Sequence, residues 1–238
     1  MNRVTAIIPA AGLGTRMGAD QPKQFIEIDG VPLVIFTLRR LAACSAITDF
    51  ILSTRAEEIV SLQDKVAKAS LGRPARVIHG GDTRQQSVAN AIAQVDPATE
   101  IVLVHDAVRP FITAEQTARV IAEARLRGAA ILAIPAIDTV KEVKRASLPE
   151  DVALITATIP RERIVMAQTP QAFSFPLLRD AFRKAQEDGV TGSDEAVLVE
   201  RLGHEVFAVL GSERNLKITR PSDLELAHFY LEQERVPK

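Results

Sequence analysis

Segments with the pattern of β-strands alternate along this chain with segments that have the periodicity of α-helices. Val4 to Ile8 and Ile101 to His105 are short apolar runs rich in β-branched residues, which is typical of strands buried in a parallel sheet. Residues 56–69 and 83–94 instead repeat their apolar positions with the period of a helix. The alternation predicts an α/β fold with a mostly parallel, twisted sheet that helices cover on both faces.

The composition limits what this fold can bind. The chain has 238 residues, of which 47% are hydrophobic and 25% are charged, as in an ordinary globular protein of one large or two small domains. The formal net charge is −1, so we expect no general attraction to nucleic acid or to a membrane surface. Affinity for an anion must therefore come from local clusters of positive charge.

The sequence shows neither a membrane span nor a secretory signal. No apolar run approaches the ~20 residues of a membrane span, and the chain does not start with a secretory signal pattern. We therefore expect a cytoplasmic protein, or one in an organelle if a transit peptide preceded Met1.

Cys44 is the single cysteine, which excludes an intrachain disulfide and a Cys-based zinc site. Its apolar, helical surroundings favour a place in the core over a nucleophilic role.

The loop after the first strand carries a strong indication of a ligand. It is rich in small residues and glycines from Pro9 to Gly18, and Pro22-Lys23-Gln24 follows. Glycines let backbone N–H groups approach an anion, and several such groups in a tight turn form a concave phosphate site. Arg16 and Lys23 add positive charge. The loop therefore predicts a binding site for a polyphosphate, most simply a nucleoside triphosphate.

Other glycine motifs fit this loop less well. The spacing of Gly12, Gly14 and Gly18 is one residue too long for the dinucleotide fingerprint, and no Gly-Lys-Ser/Thr follows to make a P-loop. An ordinary strand-to-helix turn that carries three glycines stays open as the alternative.

Polar residues also follow the third and fourth predicted strands, and ligands in open α/β sheets sit beyond such strand ends. The segment from Gly80 to Ser87 predicts a base or ribose pocket, in which Arg84 could equally be solvated. Asp106 is placed to hold Mg²⁺ beside phosphate oxygens, with capping of a turn as the alternative. Arg109 could fork onto a phosphate or form a surface salt bridge. Lys217, farther along, is a candidate third cation or a solvated lysine.

The α/β pattern breaks between Asp138 and Arg163. Residues 139–145 alternate apolar and polar, and 152–159 are again rich in β-formers, so the segment predicts an inserted β-hairpin. Isolated hairpins are marginal in water, and we therefore expect this one to pack against a second copy of the protein. A mobile loop is the alternative.

These motifs together resemble the 2-C-methyl-D-erythritol 4-phosphate cytidylyltransferase family over nearly the whole length. The matching pieces are Pro9 to Met17, Pro22 to Gln24, Gly80 to Asp82 with Arg84, Ser87 and Val88, His105 to Pro110, Asp138 to Lys141, Gln168 to Gln171, Asp194 to Ala196 and Asn215 to Thr219. The resemblance implies a single Rossmann-like nucleotidyltransferase domain over 1–238, with 138–163 as a β-arm for dimerisation.

The resemblance also implies an activity and a set of site residues. The expected enzyme transfers CMP from CTP to the sugar-alcohol phosphate, releases pyrophosphate, uses Mg²⁺ and serves non-mevalonate isoprenoid synthesis as a homodimer. The residues implied for CTP are Pro9, Ala10, Ala11, Gly12, Gly14, Arg16, Lys23, Gly81, Asp82 and Ser87. Those implied around the sugar phosphate or the reacting phosphates are Asp106 as the Mg²⁺ ligand, Arg109, Thr139, Arg161, Thr169 and Lys217. Among them, Arg16, Lys23 and Lys217 are the expected catalytic cations.

Two other functions stay open from the sequence. A cytidylyltransferase for another polyol phosphate, such as ribitol 5-phosphate, would share the CTP site and differ around Thr139, Arg161 and Thr169. A nucleotide-binding regulator without turnover would not need cations aimed at a leaving group, so Lys23, Asp106 and Lys217 argue against it.

Overall fold

The computed structural model describes residues 3–12, 22–144, 149 and 151–235. Its strands in chain order are β1 (Arg3–Pro9), β2 (Glu27–Ile28), β3 (Val31–Pro32), β4 (Asp49–Thr54), β5 (Ala75–His79), β6 (Thr99–Val104), β7 (Ala129–Pro135), β8 (Val140–Lys144), β9 (Leu154–Ile159), β10 (Val165–Ser174) and β11 (Phe207–Leu210). Its α-helices are α1 (Leu33–Ala42), α2 (Ile59–Lys68), α3 (Arg84–Ile92), α4 (Ala114–Arg127), α5 (Phe175–Glu187), α6 (Glu195–Arg201) and α7 (Pro221–Arg235).

Seven of these strands form one sheet in the order β11-β7-β10-β6-β1-β4-β5. Neighbours pair in parallel except at β10, which runs antiparallel to both β6 and β7. The predicted mostly parallel α/β sheet is confirmed. The strand β10 has no counterpart in the sequence prediction, because the polar residues Gln168, Thr169 and Gln171 interrupt its apolar pattern. All three are buried, and the strand pairing is irregular at this point.

Two apolar layers cover the sheet. Successive strand side chains point to opposite faces, so Ala6 and Ile8 join the layer that contains α1, α2 and α4, while Ile7 joins the layer with α3, α5 and α6. Phe50 and Phe173 are fully buried, one in each layer, and burying such a ring contributes roughly 1.5–3 kcal/mol. Cys44 lies in the first layer, as its surroundings predicted.

The helix boundaries follow local signals with one exception. Thr113 caps α4 by accepting a hydrogen bond from the Gln116 backbone, and Gly128 ends the helix with a φ of 89°, which favours glycine. The helical periodicity of 31–43 predicts a helix that begins at Val31, and this is wrong. Val31–Pro32 pairs with Glu27–Ile28 in a short hairpin, and α1 begins at Leu33.

The inserted segment forms the predicted hairpin. The strands β8 and β9 pair antiparallel and make a separate two-stranded sheet. The turn residues 145–148 and 150 lie outside the described residues. Large apolar side chains remain on its surface, with Leu154 60% and Ile155 58% exposed. Among the described residues, no helix combines the length and apolar character needed to cross a membrane.

Candidate active site

A cavity of about 270 Å³ opens at the carboxyl ends of β1, β5 and β6. The predicted CTP residues that line it are Pro9, Ala10, Ala11, Gly12, Gly81, Asp82 and Ser87. Asp106 and Lys217 line it as well. Gly14 and Arg16 lie outside the described residues, and so does the side chain of Lys23, whose backbone belongs to a short 3-10 turn at 23–25. The topology thus brings segments from distant parts of the chain to one place.

The loop before α3 forms one wall of this cavity. The Ser87 hydroxyl accepts a hydrogen bond from the Gly81 N–H at 3.0 Å and donates to the Thr83 carbonyl at 2.9 Å. Thr83 caps α3 in a reciprocal capping box with Gln86. A Cβ at Gly81 would lie 2.4 Å from the Gln86 Cβ, so only glycine fits there. The internal hydrogen bonds therefore fix the shape that the loop presents to a ligand.

Asp106 lies at the centre of a cluster of cations. Its Oδ1 is 3.3 Å from the Arg84 Nε, and its Oδ2 is 2.9 Å from the Lys217 Nζ and 3.4 Å from the Arg109 Nε. The contacts with the two arginines are longer than good hydrogen bonds, so they are mainly charge attractions. Burial by itself would raise the pKa of Asp106, but the three positive charges outweigh it and hold that pKa well below its usual range. Asp106 is therefore ionised at neutral pH.

Arg84 binds a second carboxylate, that of Glu195, at the start of α6. The Nη1–Oε1 and Nη2–Oε2 distances are 2.7 and 3.0 Å, which makes the pair bidentate. Burial opposes the charge on Arg84, yet the two carboxylates raise its pKa above the ordinary value. The alternative that Arg84 is simply solvated is therefore wrong. Glu195 is not among the predicted site residues, and its one signal in the sequence is the Asp194-Glu195-Ala196 match.

A buried hydrogen-bond chain lies behind Asp106. Thr169 Oγ1 accepts from the Asp106 backbone N–H at 3.0 Å and lies 3.1 Å from the His105 Nδ1, and the His105 Nε2 is 3.1 Å from the Arg109 carbonyl. The threonine hydroxyl then donates to Nδ1, so the histidine proton is on Nε2. Burial lowers the pKa of His105 to about 4, so the ring is neutral. His105 is therefore a buried hydrogen-bonding residue between Thr169 and the Arg109 carbonyl.

Lys217 reaches the cluster because the segment before it is anchored in the core. The Asn215 side chain donates to the Thr169 carbonyl at 2.8 Å and to Gln168 Oε1 at 3.1 Å. Its carbonyl accepts from the Arg109 Nη1 at 2.7 Å. These bonds hold 215–217 against the end of β6. Lys217 is a predicted cation of the site, but nothing in the sequence pattern indicates that it lies close to Asp106, which is 111 residues away.

Four predicted substrate residues do not line the cavity of their own chain, although one of them, Arg109, contacts Asp106 at its edge. Thr169 is buried behind Asp106 and does not line the cavity. Thr139 and Arg161 are exposed at the base of the hairpin, where Arg161 Nη1 donates to the Ile137 carbonyl at 2.6 Å. The structure therefore groups Asp106, Arg109 and Lys217 but leaves Thr139 and Arg161 outside.

The donor set limits which metal could bind. Among the described residues, no group of three or more His, Cys, Asp or Glu side chains could enclose an ion. The one carboxylate at the centre of the cluster, Asp106, faces the cavity. Mg²⁺ commonly takes one or two carboxylates and completes its shell with water and substrate phosphates. The residues present therefore fit a magnesium shared with a bound phosphate, and they do not fit a site built from protein side chains alone.

Comparisons with known proteins agree with this geometry. A family model described as 2-C-methyl-D-erythritol 4-phosphate cytidylyltransferase (IspD) matches residues 4–233. The protein of that name from Acidobacterium capsulatum is 54% identical over 237 residues, which are 97% of this chain and 98% of the relative.

Two solved structures extend the agreement to the fold. The 4-diphosphocytidyl-2C-methyl-D-erythritol synthase from Anaerococcus prevotii superposes with a TM-score of 0.83 at 30% identity and covers 97% of this chain and 99% of its own. The 2-C-methyl-D-erythritol 4-phosphate cytidylyltransferase from Thermus thermophilus gives 0.77 at 34% identity, with the same coverage of both chains. The chain belongs to the IspD family of 2-C-methyl-D-erythritol 4-phosphate cytidylyltransferases.

Proposed function

We infer that this chain transfers the cytidylyl group of CTP to 2-C-methyl-D-erythritol 4-phosphate. The products are 4-diphosphocytidyl-2-C-methyl-D-erythritol and pyrophosphate, and the reaction belongs to non-mevalonate isoprenoid synthesis, as membership of the family indicates. The observation that carries the inference is the convergence of Arg84, Arg109 and Lys217 on Asp106 beside the cavity.

The reaction is limited by repulsion between anions. The attacking phosphate has a second pKa of about 6, so it is largely dianionic at neutral pH and needs no general base. Two polyanions must nevertheless approach within bonding distance. Catalysis therefore comes from positioning and from charges that are in place before the reaction.

The cation cluster supplies such charges. Three cations face the two carboxylates Asp106 and Glu195, which leaves an excess of one positive charge. In our proposal Lys217 steadies the pentacovalent α-phosphorus, and Arg109 binds a phosphate of the substrates. Arg16 and Lys23 hold the triphosphate and draw charge toward the leaving pyrophosphate. The glycine loops at 9–14 and 80–87 hold the nucleotide.

Asp106 is the residue that would hold Mg²⁺ in this proposal. When bound, the ion supplies Lewis-acid neutralisation of phosphate charge. The chain's own residues keep Asp106 ready for it, because its low pKa leaves the carboxylate ionised and the hydrogen bond from its backbone to Thr169 fixes the end of β6.

In this proposal, residues of another subunit complete the binding site of the second substrate. The arm 138–163 carries Thr139 and Arg161 on a surface with exposed apolar side chains, among them Leu154 and Ile155. Contiguous exposed apolar residues mark interaction sites. A homodimer that buries this surface would place the two polar residues at the partner's cavity. The rest of 1–238 forms one nucleotidyltransferase domain, located in the cytoplasm.

The test is pyrophosphate release with CTP and each of two acceptors. We expect faster release with 2-C-methyl-D-erythritol 4-phosphate than with ribitol 5-phosphate. The reverse order would overturn the acceptor assignment. CTP binding without pyrophosphate release from either acceptor would identify the chain as a nucleotide-binding regulator.

A further inference from the structure

One buried carboxylate near the cavity has no part in the reaction described above. Glu195 begins α6, and it is 1% exposed. Both of its oxygens bind Arg84, which is its one ion-pair partner among the described residues. A buried carboxylate is stable only when such a partner is present.

The pairing with Glu195 fixes the orientation of the Arg84 guanidinium. A guanidinium presents its N–H donors in a fixed planar fork, so the direction of one pair of donors determines the others. With Nη1 and Nη2 turned toward Glu195, Arg84 offers Asp106 only its Nε, at 3.3 Å from Oδ1. This is one long contact and not a two-pronged clamp.

Without Glu195, the fork would lose its two short hydrogen bonds. The Arg84 side chain is 31% exposed, so most of it would stay buried with unpaired donors. In the part of the chain that the structure describes, the other carboxylate that Arg84 contacts is Asp106. Because unpaired buried charge is strongly unfavourable, the fork would turn toward Asp106 and occupy its oxygens.

We propose that Glu195 is a positioning residue that holds Arg84 side-on to Asp106. The Arg84 fork thereby stays off Oδ1, the carboxylate oxygen left for a divalent cation, since Oδ2 already contacts Lys217 and Arg109. The inference rests on the proposed function, since the cation is the one that would bind with CTP. Glu195 does not line the cavity itself, so it acts through Arg84.

The anchoring of α6 is separate from this pair. Asp194 caps the helix by accepting from the Val197 N–H at 3.1 Å. Gln171 donates to Asp194 at 2.8 Å and accepts from the Ala196 N–H at 3.1 Å. These contacts tie the helix to β10 without Glu195. Its carboxylate is therefore available to orient Arg84.

The experiment compares Glu195→Gln with the wild-type enzyme over a range of Mg²⁺ concentrations. Glutamine keeps the volume but loses the charge and one acceptor. We expect the half-saturating Mg²⁺ concentration for pyrophosphate release to rise about ten- to hundredfold, as for other residues that orient a metal ligand. High Mg²⁺ should restore kcat, because the ion then competes with the Arg84 fork. Calorimetry should show a matching loss of Mg²⁺-dependent CTP affinity.

Two further variants separate positioning from folding. Glu195→Asp keeps the charge, and we expect its Mg²⁺ dependence to lie closer to the wild type than that of Glu195→Gln. Asp194→Ala is the matched structural control, because it removes the cap of the same helix without touching Arg84. It should lower the Tm and leave the half-saturating Mg²⁺ concentration unchanged.

The outcomes distinguish this inference from the proposed function. If Glu195→Gln lowers the Tm but keeps the wild-type Mg²⁺ dependence in both assays, Glu195 is merely structural and the inference is wrong. If the wild type releases no pyrophosphate with the sugar phosphate, the proposed function fails. Calorimetry with Mg²⁺ and CTP then still tests Glu195.

Discussion

The cavity region buries its charged side chains, whereas the hairpin arm exposes its apolar side chains. Around Asp106 the charged groups are largely buried, and each contacts a group of opposite charge in the same chain. On the arm, Leu154 and Ile155 are exposed, and so are the predicted substrate residues Thr139 and Arg161. Buried charges require partners, whereas an exposed apolar surface indicates an absent partner. One chain therefore pairs the charges around the cavity but leaves the apolar side chains of the arm exposed.

The largest expected effect comes from removing a cation at the cavity. Lys217→Ala should lower kcat at least about a hundredfold, since removing one preorganised charge costs roughly 3 kcal/mol or more in the barrier. The fold should survive because the Lys217 side chain is 37% exposed. Steady-state pyrophosphate release and the Tm measure the two effects. Lys184→Ala, an exposed lysine on α5, is the control, and near-normal turnover of Lys217→Ala would refute the assigned role.

A pH effect on stability should come from the buried histidine behind the cavity. Burial lowers the pKa of His105 from 6.5 to about 4, so between these values the unfolded chain takes up a proton that the folded protein does not. Stability therefore falls as the pH drops through this window, by about 3 kcal/mol from this group.

Denaturant unfolding at neutral pH and near the lower end of the window measures this loss. His105→Gln should flatten the dependence, while His204→Gln, at an exposed position, should not. An unchanged slope for His105→Gln would show that other groups cause the loss.

The next prediction concerns whether the arm completes the substrate site of another subunit. Arg161→Ala should raise KM for the sugar phosphate about ten- to hundredfold, because a hydrogen bond to a charged group contributes roughly 1.5–3 kcal/mol. Mixing Arg161→Ala with Lys217→Ala subunits should restore activity above that of either variant. One site in each mixed dimer then has both intact residues. No recovery after subunit exchange would show that the arm acts within its own chain.

The smallest expected effect is the loss of stability when either of two helix caps is removed. Thr83→Ala and Thr113→Ala each remove a capping box and should lower the free energy of unfolding by about 1 kcal/mol. Only Thr83 lies at the cavity, so only Thr83→Ala should also raise KM for CTP. Equal KM values for the two variants would mean that the Thr83 loop does not contribute to nucleotide binding.

Much of the fold could be predicted because its signals are local. The cap at Thr113 and the stop at Gly128 involve residues close in sequence, and the apolar run of β6 needs no partner to be recognised. The strand β10 could not be predicted in this way. Its polar residues, such as Gln171, are acceptable in the core only because Asp194 and Ala196 bind them.

The sequence by itself determined the α/β class, the glycine loops and the hairpin, and its resemblance to a known family indicated the reaction. The tertiary structure decided which charges meet. Arg84 and Glu195 are 111 residues apart, and they meet where the start of α6, bound by Gln171 of β10, lies beside the start of α3. Such pairings depend on the order of the strands in the sheet. They cannot be predicted from the sequence, because contacts between distant segments leave no periodic pattern in the chain.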